Sequence, residues 1–221
     1  MIIRDEEKSL GKFLQHHAGL YDELVIADTG ASDDSAAIAK RYTPAVFHFE
    51  WRNDFSAARN FSISKATGDW ILWLDPDEFV KKDDFAEIRK SLSCNADGLS
   101  MLQRTWSNAT GHPRFVKMKN DVYGGYYLRR ICKLFRNRKG IAFEYPIHET
   151  VRNSIAGLNA TIRKTRFIID HYPEKKDRDS FIKKEECYIQ LLKKKLKQFP
   201  KSNAEKELAA EEAILKSFKN A

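Results

Sequence analysis

The sequence predicts an α/β fold: a mixed, mainly parallel sheet flanked by helices, followed by a C-terminal helical hairpin. Three observations carry this. Short apolar runs alternate with segments of helical spacing through the first 92 residues. Acid-rich turns close two of those runs, at residues 28–34 and 75–78. From about residue 174 the chain is lysine-rich, with apolar residues at helical intervals.

The elements follow in order. "MIIR" is a strand stub, and Leu10, Phe13, Leu14 and Leu20 approximate one face of a helix. "ELVIAD" reads as a buried strand, and "TGASDD" as a turn in which Ser32 or Asp33 can cap the helix "SAAIAKRY". "AVFHF" is strand-like, "SAARNFSISKA" helical, "TGD" a break and "WILWL" a further strand. "DDFAEIRKSL" is a helix with acids in its first turn, where they complement the helix dipole. This rhythm predicts a doubly wound sheet, whose ligands bind beyond the carboxyl ends of the strands. Asp28 and Asp75 both stand at such ends. Residues 97–104, 130–135 and 160–170 read as strands, and 105–128 as a long polar loop with Tyr123, Tyr126 and Tyr127. Phe181, Tyr188, Leu191, Leu192 and Leu196 form one helical stripe; Leu208, Ile214, Leu215 and Phe218 form a second.

Composition narrows the function classes. The chain has 221 residues, 42% of them hydrophobic and 12% aromatic, which suits a globular domain with an appendage. No apolar run approaches the ~20 residues that span a bilayer, and "MIIRDEEKSL" has no signal-peptide core. Cys94, Cys132 and Cys187 are scattered, which fits a reducing compartment and neither a disulfide framework nor a zinc site. The net charge of +8 favours anionic partners, but no nucleic-acid reading motif accompanies it. Much of the excess lies in "KKEECYIQLLKKKLKQFPK", which reads first as a solvated helix face.

Three motifs carry chemistry. In "DWILWLDPDEF", an apolar strand delivers Asp75, Asp77 and Glu78 to one place. Carboxylate oxygens suit Mg²⁺ or Mn²⁺ bound together with substrate phosphates, and like charges gathered there without a cation are costly. In "IADTGASDDS", Asp28 can accept hydrogen bonds from a nucleobase or ribose, with Gly30 allowing a sharp turn. In "WRNDFSAARNFSISKATGDW", Arg59 offers a forked donor that suits a diphosphate. Each motif also has a plain structural reading: capping acids at a turn, an Asx turn, and a surface pair of Arg59 with Asp54.

Taken together and in order, "MIIRDEE", "VIADTGASDDS" and "FEWRNDFSAARNFSISKATGDWILWLDPDE" resemble the family-two glycosyltransferases of the nucleotide-sugar-binding GT-A fold. The resemblance is to a bacterial branch often fused to tetratricopeptide-like helices. It covers residues 1–172, a catalytic domain, and leaves 173–221 as a helical extension. It implies an inverting transfer from a nucleotide-diphosphate sugar, UDP-sugar favoured, with Mn²⁺ or Mg²⁺. Asp77 and Asp75 match the Asp-x-Asp pair, with Asp77 the metal ligand, and Glu78 follows behind them. Asp28 and Arg59 match donor-site positions. "RRICKLFRN" and "YPIHET" resemble later motifs of the branch. Glu149 then stands as the acceptor base, with His148 as the alternative. In "IIDHYP", His171 is either a metal or phosphate contact or a histidine satisfied at a strand end.

The first strand is short against the family pattern, and Asp5 stands where asparagine is common, both beside the nucleotide site. The resemblance allows a saccharide, lipid-linked or peptide acceptor in bacterial cell-envelope polysaccharide synthesis. It places the chain in the cytoplasm or at the inner face of the membrane. The basic helices allow peripheral membrane contact and a homodimer. Two alternatives stand beside transfer: a degenerate, non-catalytic scaffold, and a sugar nucleotidyltransferase. The latter would carry a Gly-rich basic loop after the first strand, where this chain has acids.

Overall fold

The computed structural model describes residues 1–108, 114–173 and 177–219. Strands β1 (Ile2–Ile3), β2 (Ile26–Asp28) and β3 (Val46–His48) form a parallel sheet in that order. Helices α1 (Glu7–His17) and α2 (Ser35–Lys40) connect its strands, and α3 (Phe55–Ile63) follows. Helix α1 forms because Leu10, Phe13, Leu14 and His17 fall on one face, and all four are buried. Helix α3 starts where the Asp54 carboxylate accepts a bond from the Ala57 N–H at 3.0 Å.

A second sheet contains β4 (Trp70–Leu72), β5 (Glu78–Val80), β6 (Gly98–Ser107), β7 (Phe115–Lys117), β8 (Gly125–Arg136) and β9 (Ile162–His171). Its order is β4-β8-β6-β9-β5, with β7 on β8. Helix α4 (Phe85–Ser91) precedes β6, and α5 (Arg152–Gly157) precedes β9. The expected mixed sheet flanked by helices is therefore present, in two parts. Parallel pairing is limited to the first sheet and to β6 with β9; the other pairs of the second sheet are antiparallel. Among the described residues no helix separates β6, β7 and β8, and β8 pairs antiparallel with both of the others.

Two expectations need correction. Residues 105–128 are not one long loop. Strand β6 continues to Ser107, β7 lies within the segment, and β8 begins at Gly125; residues 109–113 lie outside the described residues. Of the aromatics expected in a loop, Tyr126 and Tyr127 lie on β8 opposite β6, where Tyr126 faces Trp106 with ring centroids 5.4 Å apart; Tyr123 lies before β8. Gly125 permits the close turn of β7 onto β8, because a Cβ there would collide with the Val116 carbonyl and the Phe115 ring. Second, the plain alternative for the acids after β4, capping residues of a strand-to-helix turn, does not hold. They form a turn into β5, which pairs with β9.

Helices α6 (Arg178–Gln198) and α7 (Ala204–Lys219) form the expected hairpin. It packs on the sheet domain through Leu191 and Leu192 of α6, which cluster with Ile147 and Phe55 of that domain and with Leu208 of α7. Ile214 and Phe218, at the far end of the second stripe, are exposed. Among the described residues, no helix is long and apolar enough to cross a membrane.

One buried group in the core makes stability depend on pH. His17 is 1% exposed. Its Nδ1 donates to the Phe13 carbonyl at 2.9 Å, and its Nε2 accepts from the Val80 N–H at 3.2 Å. The ring is thus locked neutral, because a proton on Nε2 would face another N–H. Burial pushes its pKa down to about 4, from 6.5. The unfolded chain therefore takes up the proton first. The full contribution is present above pH ~6.5 and is lost as pH falls toward 4, about 3 kcal/mol in all. Urea unfolding at pH 7 and pH 4.5 measures this loss, and His17→Gln is expected to flatten it. An equal slope in the variant would assign the loss to other groups.

Candidate active site

The turn Asp75-Pro76-Asp77 joins β4 to β5. The Asp75 carbonyl accepts from the Glu78 N–H at 2.9 Å, which closes it, and the Asp77 carbonyl accepts from the Tyr172 N–H at 2.9 Å. The turn sends its two carboxylates different ways. Asp75 faces Arg59, and Asp77 faces His171.

Arg59 is the hub of the first group. Its Nε donates to Glu149 Oε1 at 2.5 Å, and its Nη2 donates to both oxygens of Asp75, at 3.0 and 3.2 Å. Its carbon Cζ lies 4.4 Å from the centre of the Trp73 ring. The side chain is only 7% exposed, and buried Nη1 has no hydrogen-bond partner among the described residues. Burial alone would lower the arginine pKa, but the charges of Asp75 and Glu149 outweigh it and raise the pKa. For Asp75, burial pushes up, while Arg59 and then Lys133 pull harder and hold it below the usual range.

Beneath the turn lies an ion pair that the sequence did not suggest. Glu78 and Lys133 are both 1% exposed, and the Lys133 ammonium donates to the two Glu78 oxygens at 2.7 and 2.6 Å. Glu78 Oε2 also accepts from the Asp75 N–H at 3.0 Å, and Gln103 donates to Oε1. Lys133 sits 3.5 Å from the centre of the same Trp73 ring that Arg59 meets. Acids and cations thus alternate: Glu149, Arg59, Asp75, with Glu78 and Lys133 beneath. Such a set survives burial only because each charge has a partner.

The second group is smaller and more open. Asp77 Oδ2 and His171 Nε2 are 3.1 Å apart, with side chains 33% and 25% exposed. Thr105 Oγ1 lies 3.2 Å from His171 Nδ1 and fixes the ring from behind. Among the described residues, no three His, Cys, Asp or Glu side chains converge as a metal cluster. Two outward-facing donors of carboxylate and imidazole type, with one ring held by a hydroxyl, still fit a divalent cation that takes its remaining ligands from a diphosphate and water.

The remaining candidates sit elsewhere. Asp28 Oδ1 accepts from the N–H groups of Gly30 (3.0 Å) and Ala31 (2.8 Å), and Gly30 takes a φ of +98°. Asp5 Oδ1 accepts from the backbone N–H and hydroxyl of Ser32, tying the loop after β1 to the loop after β2. His148 turns away from the acids, and its Nδ1 lies 3.2 Å from Glu207 Oε2 on α7. Asp54 does not pair with Arg59; it caps α3 and meets Lys194 of α6 at 3.5 Å. The geometry therefore joins Arg59, Asp75 and Glu149, and separately Asp77 and His171. Lys133 was missed, although a lone lysine inside the apolar run "RICKLF" was its signal.

Residues 1–154 match the family described as Glycosyl transferase family 2. A TPR repeat-containing protein of Synechococcus elongatus is 35% identical over 185 residues, which is 80% of this chain and 42% of that protein. The glycosyltransferase SunS of Bacillus subtilis is 34% identical over 92 residues, covering 41% of this chain and 22% of its own length. The chain spans less than half the length of these relatives. Among solved structures, glucosyl-3-phosphoglycerate synthase from Mycobacterium tuberculosis, in complex with Mn²⁺ and UDP-glucose, aligns with a TM-score of 0.51 at 14% identity. That alignment covers 88% of this chain and 77% of the synthase, a likeness of fold. With its GT-A architecture and a family match over residues 1–154, this chain belongs to glycosyl transferase family 2.

Proposed function

We propose that the chain is an inverting glycosyltransferase that moves a sugar from a nucleotide diphosphate, a UDP-sugar, to a hydroxyl of a saccharide, lipid-linked or peptide acceptor. One observation carries this reading: the Glu149–Arg59–Asp75 ion chain and the Asp77–His171 pair diverge from one short turn. A carboxylate held by arginine and a cation-accepting pair are thereby built into the same structural unit. The synthase with the same fold was solved with Mn²⁺ and UDP-glucose, which supports the donor class.

In this reading Asp28 and the loop tied down by Asp5 receive the nucleoside. Asp77 and His171 would hold Mn²⁺ or Mg²⁺; Asp75, expected as a second ligand, is turned onto Arg59. The cation, when bound, neutralises charge on the departing diphosphate. Arg59 keeps Asp75 charged and orients Glu149, and Nη1 is its remaining donor. Glu149 is held through Oε1, so Oε2 takes the proton from the acceptor hydroxyl. That oxygen bonds to the anomeric carbon as the bond to the diphosphate breaks, which inverts the anomeric centre.

Calorimetry with a series of UDP-sugars, with and without Mn²⁺, tests the donor. For Glu149→Gln, donor affinity is expected within about twofold of wild type, with turnover down about 10²–10⁴-fold. Unchanged turnover would remove Glu149 from the role of base.

A further inference from the structure

The family match ends at residue 154, and α6 and α7 lie beyond it. Their contacts converge on one short segment. Glu144 and Thr150 bridge to each other by two backbone bonds, N–H to O distances of 3.0 and 3.1 Å, and pinch off residues 145–149. Within that loop Tyr145 has a φ of 78° and His148 a φ of 52°, in the left-handed region that side chains disfavour. A bulky residue stays there only when its surroundings over-determine it. Glu149 follows directly.

The hairpin supplies much of that determination. Glu207 of α7 accepts from Lys195 of α6 at 2.7 Å and meets His148 Nδ1 at 3.2 Å. Lys195 is 2% exposed and lies 4.6 Å from the centre of the Tyr145 ring, and Phe199 packs edge-on against that ring. Ile147, between the two left-handed residues, is buried against Leu191 and Leu192. From the sheet domain, the Phe55 N–H donates to the Pro146 carbonyl at 2.9 Å. Every side chain from Tyr145 to His148 except the proline therefore has a partner on α6 or α7.

We propose that the α6–α7 hairpin is a positioning element for transfer, with Glu207 and Lys195 acting through His148 and Tyr145 to set the place of Glu149. The inference rests on the reading of Glu149 as acceptor base. It extends the site beyond the family-matched segment, to residues that touch neither donor nor acceptor. Two further observations agree with it. Tyr188 of α6 stacks edge-on with His148, and burial followed by the charge of Glu149 raises its phenol pKa. Glu207 is held at about 2, first by its bond to His148, so the anchor stays charged through the neutral range.

The test compares Glu207→Ala, Glu207→Gln and Lys195→Met with wild type in the full chain. It measures kcat, acceptor KM and UDP-sugar affinity, with Glu149→Gln as reference. Loosening of the loop displaces one catalytic group and leaves the donor pocket intact. Glu207→Ala and Lys195→Met are therefore expected to lower kcat about 10–100-fold at donor affinity within about twofold. Glu207→Gln, which keeps an acceptor for His148 or Lys195, is expected to recover part of the loss. Retained donor affinity itself reports that each variant is folded. If Glu149→Gln abolishes turnover while Glu207→Ala and Lys195→Met leave kcat unchanged, the positioning role is overturned and the base assignment stands. Parallel loss of donor affinity and kcat would also overturn it, because the hairpin would then support the whole domain. If Glu149→Gln turns over normally, the base assignment falls and this inference with it.

Discussion

Asp77→Asn is expected to remove the Mn²⁺-dependent part of UDP-sugar binding and to lower turnover by at least about 10²-fold. The cause is local. Asp77 contributes one of the two outward-facing donors at the β4–β5 turn, and its side chain is 33% exposed. Its backbone carbonyl, which meets the Tyr172 N–H, is untouched by the substitution. Folding is therefore expected to be preserved, and the melting temperature without nucleotide should stay close to that of wild type. Thr105→Val supplies a graded companion. It removes the hydroxyl behind His171 without removing a donor, and such outer partners are typically worth 10–100-fold in metal affinity. Titration of Mn²⁺ at fixed nucleotide ranks the three proteins. An undiminished Mn²⁺ requirement in Asp77→Asn would exclude Asp77 as a ligand.

Arg59→Met is expected to destabilise the fold by about 3–5 kcal/mol. The residue is buried, and its loss leaves two carboxylates, Asp75 and Glu149, without their cation. The cost thus lies in the acids left behind more than in the lost bonds. This gives a sharp second arm. The triple variant Arg59→Met, Asp75→Asn, Glu149→Gln removes all three charges and is expected to recover most of the stability while remaining inactive. Urea denaturation of the single and triple variants measures both. A triple variant as unstable as the single one would mean that packing against Trp73, and not charge, is what Arg59 provides.

The sequence revealed the first half of the fold because local signals and packing agree there. Apolar runs such as "ELVIAD" and "WILWL" are strands that lead into acidic turns, and Asp54 caps its helix as its residue type predicts. It hid β5 because three residues after an acidic turn carry no alternation to detect, and a cluster of acids reads equally well as a helix start. It hid the β6–β8 hairpin because glycines and tyrosines suit a loop and a twisted antiparallel edge alike. Within the site, the residue types were legible and their partners were not. Arg59 was expected to face a diphosphate; the fold turns it inward onto Asp75 and Glu149, contacts spanning 16 and 90 residues of sequence. Lys195 sits in a basic helix whose lysines signal solvent, and Lys133 betrayed itself only by standing in an apolar run; the partner of each, Glu207 and Glu78, was not legible.

The place of β9 in the sheet bears on how this chain could be cut and recombined. Strand β9 lies beyond the family-matched residues, yet it sits between β6 and β5. A fragment ending at residue 154 would lose the strand that moors β5, and with it the far side of the Asp75–Asp77 turn. It would also lose His171. The smallest transplantable unit for a chimera therefore runs through His171. A library of swapped acceptor regions should place its crossover after that residue, since a seam inside the sheet would divide one site between two parents.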